Sequence, residues 1–318
     1  MGAGELVDQR VYGLLAAGRV SPSSVVLSAD AGMKRWDLRQ AYPKLLAQAE
    51  DIQSVHVETG MEMELSLLIS RVRFVPGVAQ HLSVMRARFP SLFDETLLGA
   101  WLAGLFAQRL ELSKSERSVC FQAALLRDVG MLYLRDDLLD RESIASRERT
   151  ELRQHVLIGA DLAGDLPLEE AEQIAEAVMG HHERVDGTGY PAMLRGDAIP
   201  LAACVVAVAD VVSAIRLKNG IEDSAQLTDI RKILLFDLDG FNTRLFDMFS
   251  ELTAMAKARE RKPESAERHA ARLVTQAENI GQQIEEIEEQ LNRPGRNEES
   301  FPPGFAHRAR RTLRNRQR

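Results

Sequence analysis

The sequence predicts an all-α protein: a helical bundle, a small mixed α/β or α domain before it, and a helix after it. Three observations carry that reading. Leu97, Leu98, Trp101, Leu102, Leu105 and Leu110 recur at three- and four-residue spacing, which gathers them into one stripe of a helix. Helix punctuation follows: Ser113-Lys114-Ser115-Glu116 has the form of a cap, and Pro200 opens a long apolar run. Finally, Ala266, Ala270, Leu273, Ala277, Ile280, Ile284, Ile287 and Leu291 alternate steps of four and three, a heptad seam.

The elements are justified in chain order. Residues 1–88 form the expected N-terminal domain. Leu6, Val7, Val11, Leu14 and Leu15 have helical spacing, and Arg19 to Ser24 reads as a turn. Val25 to Ser28 is a candidate short strand. Trp36, Leu38, Leu45 and Leu46 suggest another helix, and the apolar stretch from Met61 to Val75 a further one. This unit carries no chemical motif, and its His56 and His81 are isolated, so packing is their expected role. The bundle spans 89–255. Its helices run from about Phe93, through Val119 to Leu126, then Arg147 to Leu162, Glu169 to Gly180, and Pro200 to Ala214. Asp237 to Gly240 makes a turn before Leu245, Met248 and Leu252. Residues 256–292 are an amphipathic helix, read either as packing on its own domain or as a short coiled coil joining two subunits into a homodimer. The Pro/Gly/Arg-rich residues 293–318 are expected to be disordered.

Bulk composition narrows the function classes. The chain has 318 residues, 45% hydrophobic and 27% charged, which suits about two ordinary globular domains. Its net charge of −7 hides an asymmetry: eight Arg and two Glu fall in 293–318, a basic end on a body of −13. An acidic body is a poor general surface for nucleic acid, so nucleic acid is not expected as a partner. An anionic ligand would need a locally built pocket. Cys120 and Cys204, the only cysteines, sit in apolar helical runs and read as buried thiols. The N-terminus lacks a signal-peptide pattern, and the longest apolar run, Pro200 to Ile215, is short of a bilayer span and broken by Asp210. A cytoplasmic protein without membrane contact is the expectation.

Five residues with metal-ligating chemistry fall on successive helices: Asp128, His155, His181, His182 and Asp210. Asp210 interrupts Val205-Val206-Ala207-Val208-Ala209-Asp210-Val211-Val212. An ionised carboxylate there is costly unless paired or metal-bound, so it demands a partner. Mixed His and carboxylate donors suit Fe, Mn or Zn. Two such ions could clamp a phosphodiester and activate water. Asp128 and Glu183 are the candidate catalytic carboxyls.

The string His181-His182-Glu183-Arg184-Val185-Asp186-Gly187-Thr188-Gly189-Tyr190-Pro191 resembles the signature of the HD-GYP family, metal-dependent phosphohydrolases that open cyclic di-GMP. The resemblance covers roughly residues 92–255 and implies an HD-domain-like helical bundle. It extends to Leu152–Gly159, where His155 and Gly159 match a ligand motif, and to Ala207–Ala214, where Asp210 matches. By the resemblance, Asp128, His155, His181, His182 and Asp210 are metal-ligand positions. Asp186, Gly187, Gly189, Tyr190 and Pro191 form the loop that would meet substrate or a partner.

The departures from the family pattern are several. Arg127 stands where the family has His, Met131 where it has Lys, and Ser213 where it has a second Asp. The upstream helix that begins near Glu95 contains no His. A guanidinium is protonated and has no lone pair to give a cation. Beside Asp128 and Asp210, Arg127 is expected to contact one or both, as a fixed positive charge where an ion would sit. His155, His181, His182 and Asp128 would remain as a four-donor set for one divalent ion. The alternative is that no metal binds and Arg127 makes a buried ion-pair network.

Three functions follow as expectations. The first is a cyclic di-GMP signalling protein acting by binding, toward a cyclic dinucleotide or a diguanylate cyclase domain, with weak or no hydrolysis. The second is an active phosphodiesterase. The third is a helical scaffold acting through its C-terminal coiled coil.

Overall fold

A computed structural model describes residues 33–47, 49–134, 146–217 and 226–259. These residues are helical, and among them the only β-type pairing is one antiparallel bridge between Asp186 and Arg195. The strand expected at Val25–Ser28, the heptad seam from Ala266 and the Arg-rich end lie outside the described residues.

Four helices come first: α1 (Arg35–Leu46), α2 (Glu50–Glu58), α3 (Met61–Arg71) and α4 (Pro76–Arg88). Gly60, at φ +65°, turns the chain between α2 and α3 in a conformation that suits glycine. Pro76 and Pro90 occupy first-turn positions, where a missing N–H costs nothing. Pro90 also pushes Phe89 out of helical geometry, which separates α4 from α5 (Pro90–Arg109). The helix α6 (Lys114–Leu126) begins with a reciprocal cap. The Glu116 backbone N–H donates to Ser113 Oγ at 3.3 Å, and the Ser113 N–H donates to Glu116 Oε2 at 2.8 Å.

A 3-10 turn (Val129–Tyr133) leads away from α6. The single helix expected from Arg147 to Leu162 is two: α7 (Ser146–Leu152) and α8 (Gln154–Gly164), separated by a turn at Arg153. At that break His155 Nδ1 lies 2.7 Å from the Leu152 carbonyl, a local alternative to regular helix bonding. Then come α9 (Ala171–Gly180), α10 (Leu201–Leu217), α11 (Leu227–Leu234), a 3-10 turn (Leu235–Gly240) and α12 (Thr243–Arg259).

The centre is α5, packed against α6 and α10. The one-sided stripe read from the sequence understates it, because every residue from Thr96 to Ala107 is buried. A helix enclosed on all sides tolerates apolar and small residues round its whole circumference, and Gly99, Ala100, Ala103, Gly104 and Ala107 fill the positions between the larger side chains. The helices α1–α4 contribute Leu38, Tyr42, Val55, Met61, Leu68 and Leu82 to the same apolar cluster. One polar tie crosses it: Arg216 Nη2 lies 2.8 Å from Asp51 Oδ1, and Asp51 Oδ2 accepts the Leu227 N–H at 3.0 Å. Both side chains are buried, so neither charge is left unpaired. His56 and His81 serve packing. His56 accepts from Trp101 Nε1 at 3.1 Å, and His81 Nε2 lies 2.6 Å from the Tyr133 hydroxyl. No described helix is long and apolar enough to cross a membrane.

The central position of α5 generates a prediction. Leu105 is fully buried on it. Leu105→Ala should lower unfolding free energy by about 2–5 kcal/mol in urea titration. A loss under about 1 kcal/mol would show that this helix is not the centre of the core.

Candidate functional site

Two adjoining clusters meet where α5, α6, α8, α9 and α10 converge. One holds a ring nitrogen from each of His155, His181 and His182, all within 4.8 Å of one another. The other holds a carboxylate oxygen from each of Glu95, Asp128 and Asp210, again within 4.8 Å of one another. The clusters touch: His155 Nε2 is 3.9 Å from Asp128 Oδ1, and His182 Nδ1 is 4.0 Å from Asp210 Oδ2. All five residues singled out as candidate ligands are therefore in one place. Glu95 joins them unannounced. It lies on the first buried turns of α5, and no partner visible in the sequence marks it.

Local structure delivers each group. Asp128 sits at the junction between α6 and the 3-10 turn, so its side chain turns inward just beyond the helix. Gly130 lets that turn lie against α8: a Cβ there would collide with the His155 carbonyl. Gly159 similarly faces the carbonyls of Leu126 and Arg127. His181 and His182 follow the last residue of α9.

The imidazoles are preset. His155 and His181 each donate Nδ1–H to a backbone carbonyl, of Leu152 at 2.7 Å and Val178 at 2.6 Å. That assignment puts the lone pair on Nε2, and both Nε2 atoms are buried without a hydrogen-bond partner. Burial pushes the His181 pKa down to about 4 and lowers that of His155, against the upward pull of the nearby carboxylates. His182 is also lowered, by burial first and then by its two histidine neighbours. Neutral imidazoles with inward lone pairs beside a carboxylate are a donor set that fits one divalent ion. His155, His181, His182 and Asp128 are the residues that would hold it.

The carboxylate cluster is filled differently. Arg127 has no exposed surface and lies among the acids. Its Nε is 2.8 Å from Asp210 Oδ1 and 3.0 Å from Asp128 Oδ2, and its Nη2 is 3.8 Å from Glu95 Oε1. Nη1 donates to the Ala124 carbonyl at 3.0 Å, and Nη2 to Ser213 Oγ at 3.4 Å. The expected contacts with Asp128 and Asp210 are both present, with Glu95 added. Arg127 and Ser213 thus touch each other. A third participant is Gly99, one turn beyond Glu95 on α5. A Cβ at Gly99 would lie 2.5 Å from Arg127 Nη1 and 3.0 Å from its Cζ, so the guanidinium uses the space that the glycine leaves open. Burial raises the Asp210 carboxyl pKa, but Arg127 overrides it and holds the group below the ordinary carboxylate range. Glu95 lacks so close a cation, and burial pushes it up to about 7. Met131 is half-buried against the core.

The Asp186–Pro191 loop covers the histidines. Asp186 Oδ1 accepts from the Thr188 N–H at 3.0 Å and the Thr188 hydroxyl at 2.7 Å. The Tyr190 N–H donates to the His182 carbonyl, and its ring stacks on the His182 ring at 4.7 Å and 25°. Gly189 is held against the backbone of His182, Glu183 and Arg184 so closely that any Cβ would clash. Glu183, a candidate catalytic carboxyl from the sequence, is 3% exposed and commits both oxygens to the loop. It accepts the N–H groups of Ala192 at 2.7 Å and Leu194 at 2.9 Å. It is placed as the loop's anchor. Arg153, unmarked in the sequence, lays its guanidinium 4.8 Å over the Tyr190 ring.

Comparison with known proteins places this geometry in a lineage. A family model of the HD domain matches residues 75–233. A probable cyclic di-GMP phosphodiesterase of Vibrio cholerae is 31% identical over 173 residues, covering 48% of this chain and 38% of that protein. The cyclic di-GMP phosphodiesterase response regulator RpfG of Xanthomonas campestris pv. campestris is 39% identical over 115 residues, covering 36% of this chain and 30% of its own. A 3'3'-cGAMP-specific phosphodiesterase of Vibrio cholerae is 30% identical over 136 residues, covering 41% and 26%. The chain therefore matches well under half the length of each of these relatives.

Two predictions follow from the site. Arg127→Met removes the guanidinium that lies 2.8 Å from Asp210, and should cost about 3–5 kcal/mol of stability by urea titration. A change within about 0.5 kcal/mol would mean the acids are satisfied another way. The second concerns pH in chelator-treated protein. His181 has a folded pKa of about 4 against an ordinary 6.5, so the unfolded chain binds the extra proton between those values. Stability should be complete above about pH 6.5 and fall progressively toward pH 4, with His181 alone worth on the order of 3 kcal/mol across the window. A urea midpoint that stays flat from about pH 7.5 to 5 would contradict neutral burial of the histidines.

Proposed function

The chain belongs to the HD domain family, in its HD-GYP branch, and from that membership we propose that it binds a cyclic dinucleotide at the histidine cluster and its Tyr190 loop, hydrolysing it feebly or not at all. One observation carries the reading: the fully buried Arg127 guanidinium occupies the carboxylate half of the site. A fixed organic cation pairs with Asp128 and Asp210 where a metal ion would sit. It cannot accept a phosphoryl oxygen into a coordination shell, and its donors are already committed to Asp210, Ala124 and Ser213.

The histidine half keeps its donors. A divalent ion held by His155, His181, His182 and Asp128 would act as a Lewis acid toward a phosphate oxygen. The protein's own part is then limited to holding the imidazoles neutral, excluding water from Nε2 and presenting Tyr190 beside the cluster. Absence of the second cation removes charge stabilisation worth several kcal/mol, hence on the order of a thousandfold in rate. Binding depends less on that charge than turnover does. Ligand-dependent engagement of a second protein, such as a diguanylate cyclase domain, through the Asp186–Pro191 loop is the corresponding signalling role.

The test combines stoichiometry with turnover. Metal analysis should find about one ion per chain, lost in His181→Ala. With added Mn or Fe, cyclic di-GMP and 3'3'-cGAMP should bind and persist uncleaved. Arg127→His alone should leave turnover low, because Met131 and Ser213 still depart from the family pattern and the upstream helix still brings no histidine. Brisk hydrolysis by the wild type that disappears in His181→Ala would establish an enzyme and overturn the binding-only reading.

A further inference from the structure

We propose that Arg153 is the phosphate-binding residue of this site, a role that rests on the reading above that an anionic dinucleotide docks there. Arg153 occupies the turn between α7 and α8, two residues before His155. Its guanidinium carbon lies 4.8 Å from the Tyr190 ring centroid. Tyr190 in turn stacks on His182, which belongs to the histidine cluster. Arg153, Tyr190 and His182 are therefore one contiguous run of stacked groups ending among the candidate ligands.

The chemistry favours Arg153 over the two other arginines against the histidine cluster, Arg127 and Arg184. Arg127 has no exposed surface, and carboxylates and Ser213 surround it. Arg184 donates Nη1 to the Glu183 carbonyl at 2.9 Å and lies over Phe241 at 4.7 Å. Met131 brings no charge to the position where the family has Lys. Arg153 is half-buried, and among the described residues its side chain forms no hydrogen bond and no ion pair. A guanidinium lying on a ring keeps its N–H groups directed outward from its edge, where a phosphate can take two of them. The ring restrains the cation at little cost to its donors. The remainder of the chain before Arg293 carries net negative charge, so a dianionic ligand would be repelled without such a local cation.

The experiment measures binding of fluorescently labelled cyclic di-GMP to the full chain loaded with Mn, by anisotropy. Wild type is compared with Arg153→Gln and Arg153→Lys across a salt series. Arg153→Gln should weaken binding by about tenfold or more and flatten its salt dependence. Arg153→Lys should recover part of the affinity, because it restores charge without the planar fork. Metal content and thermal midpoint should match wild type in both variants. Unchanged affinity and salt dependence in Arg153→Gln would overturn the proposal while leaving the binding reading intact. Loss of metal or of thermal stability in step with affinity would also overturn it, making Arg153 a support for the histidines. Failure of wild type to bind either cyclic di-GMP or 3'3'-cGAMP would remove both readings together.

Discussion

Arg127 is the point on which the arrangement depends. Its guanidinium has no exposed surface and draws partners from three helices and one junction. Glu95 comes from α5, Ala124 from α6, Asp128 from the end of α6, and Asp210 with Ser213 from α10. A buried charge is tolerable only when such partners are held in place, and holding them fixes how α5, α6 and α10 approach one another. The same ion group therefore sets the central packing and the electrostatics of the site. It holds the Asp210 carboxyl below the ordinary carboxylate range, whereas burial pushes Glu95, farther from the cation, up to about 7.

The histidine half follows another logic. Two of its rings, His155 and His181, are oriented by backbone carbonyls, and the third, His182, stacks on Tyr190. The carbonyl bonds choose the tautomer and burial keeps the rings neutral. The outcome is two adjacent chemistries in one buried site between helices. One is paired with a cation from within the chain, and the other presents the Nε2 atoms of His155 and His181 without a hydrogen-bond partner among the described residues.

Much of this was legible in the sequence, for identifiable reasons. Asp210 announced itself because a carboxylate in an apolar run requires a partner, and Arg127 beside Asp128 supplied one. The cap at Ser113–Glu116 and the helix-opening role of Pro200 have local causes, so local reading finds them. Glu95 was invisible because its partners are 32 and more residues away, and nothing in its own neighbourhood is unusual. Glu183 read as an acid because it adjoins the histidines. Only the fold brings the N–H groups of Ala192 and Leu194 onto its oxygens. The break at Arg153 escaped notice for a similar reason: apolar periodicity continues across it, and the interruption comes from a side chain that bonds backward. The all-round burial of α5 depends on how many neighbours enclose it, which a stripe pattern does not encode.

The close approach of Arg127 to Gly99 has a further consequence, for how the two positions tolerate change. The guanidinium of Arg127 fills the volume that any larger residue at 99 would need. A side chain at 99 would collide with the arginine. A shorter residue at 127 would leave a void beside Gly99 and three acids without their cation. Either change alone is costly, whereas a larger residue at 99 and a shorter one at 127 can compensate each other. The two positions are energetically coupled, and substitutions at them are non-additive.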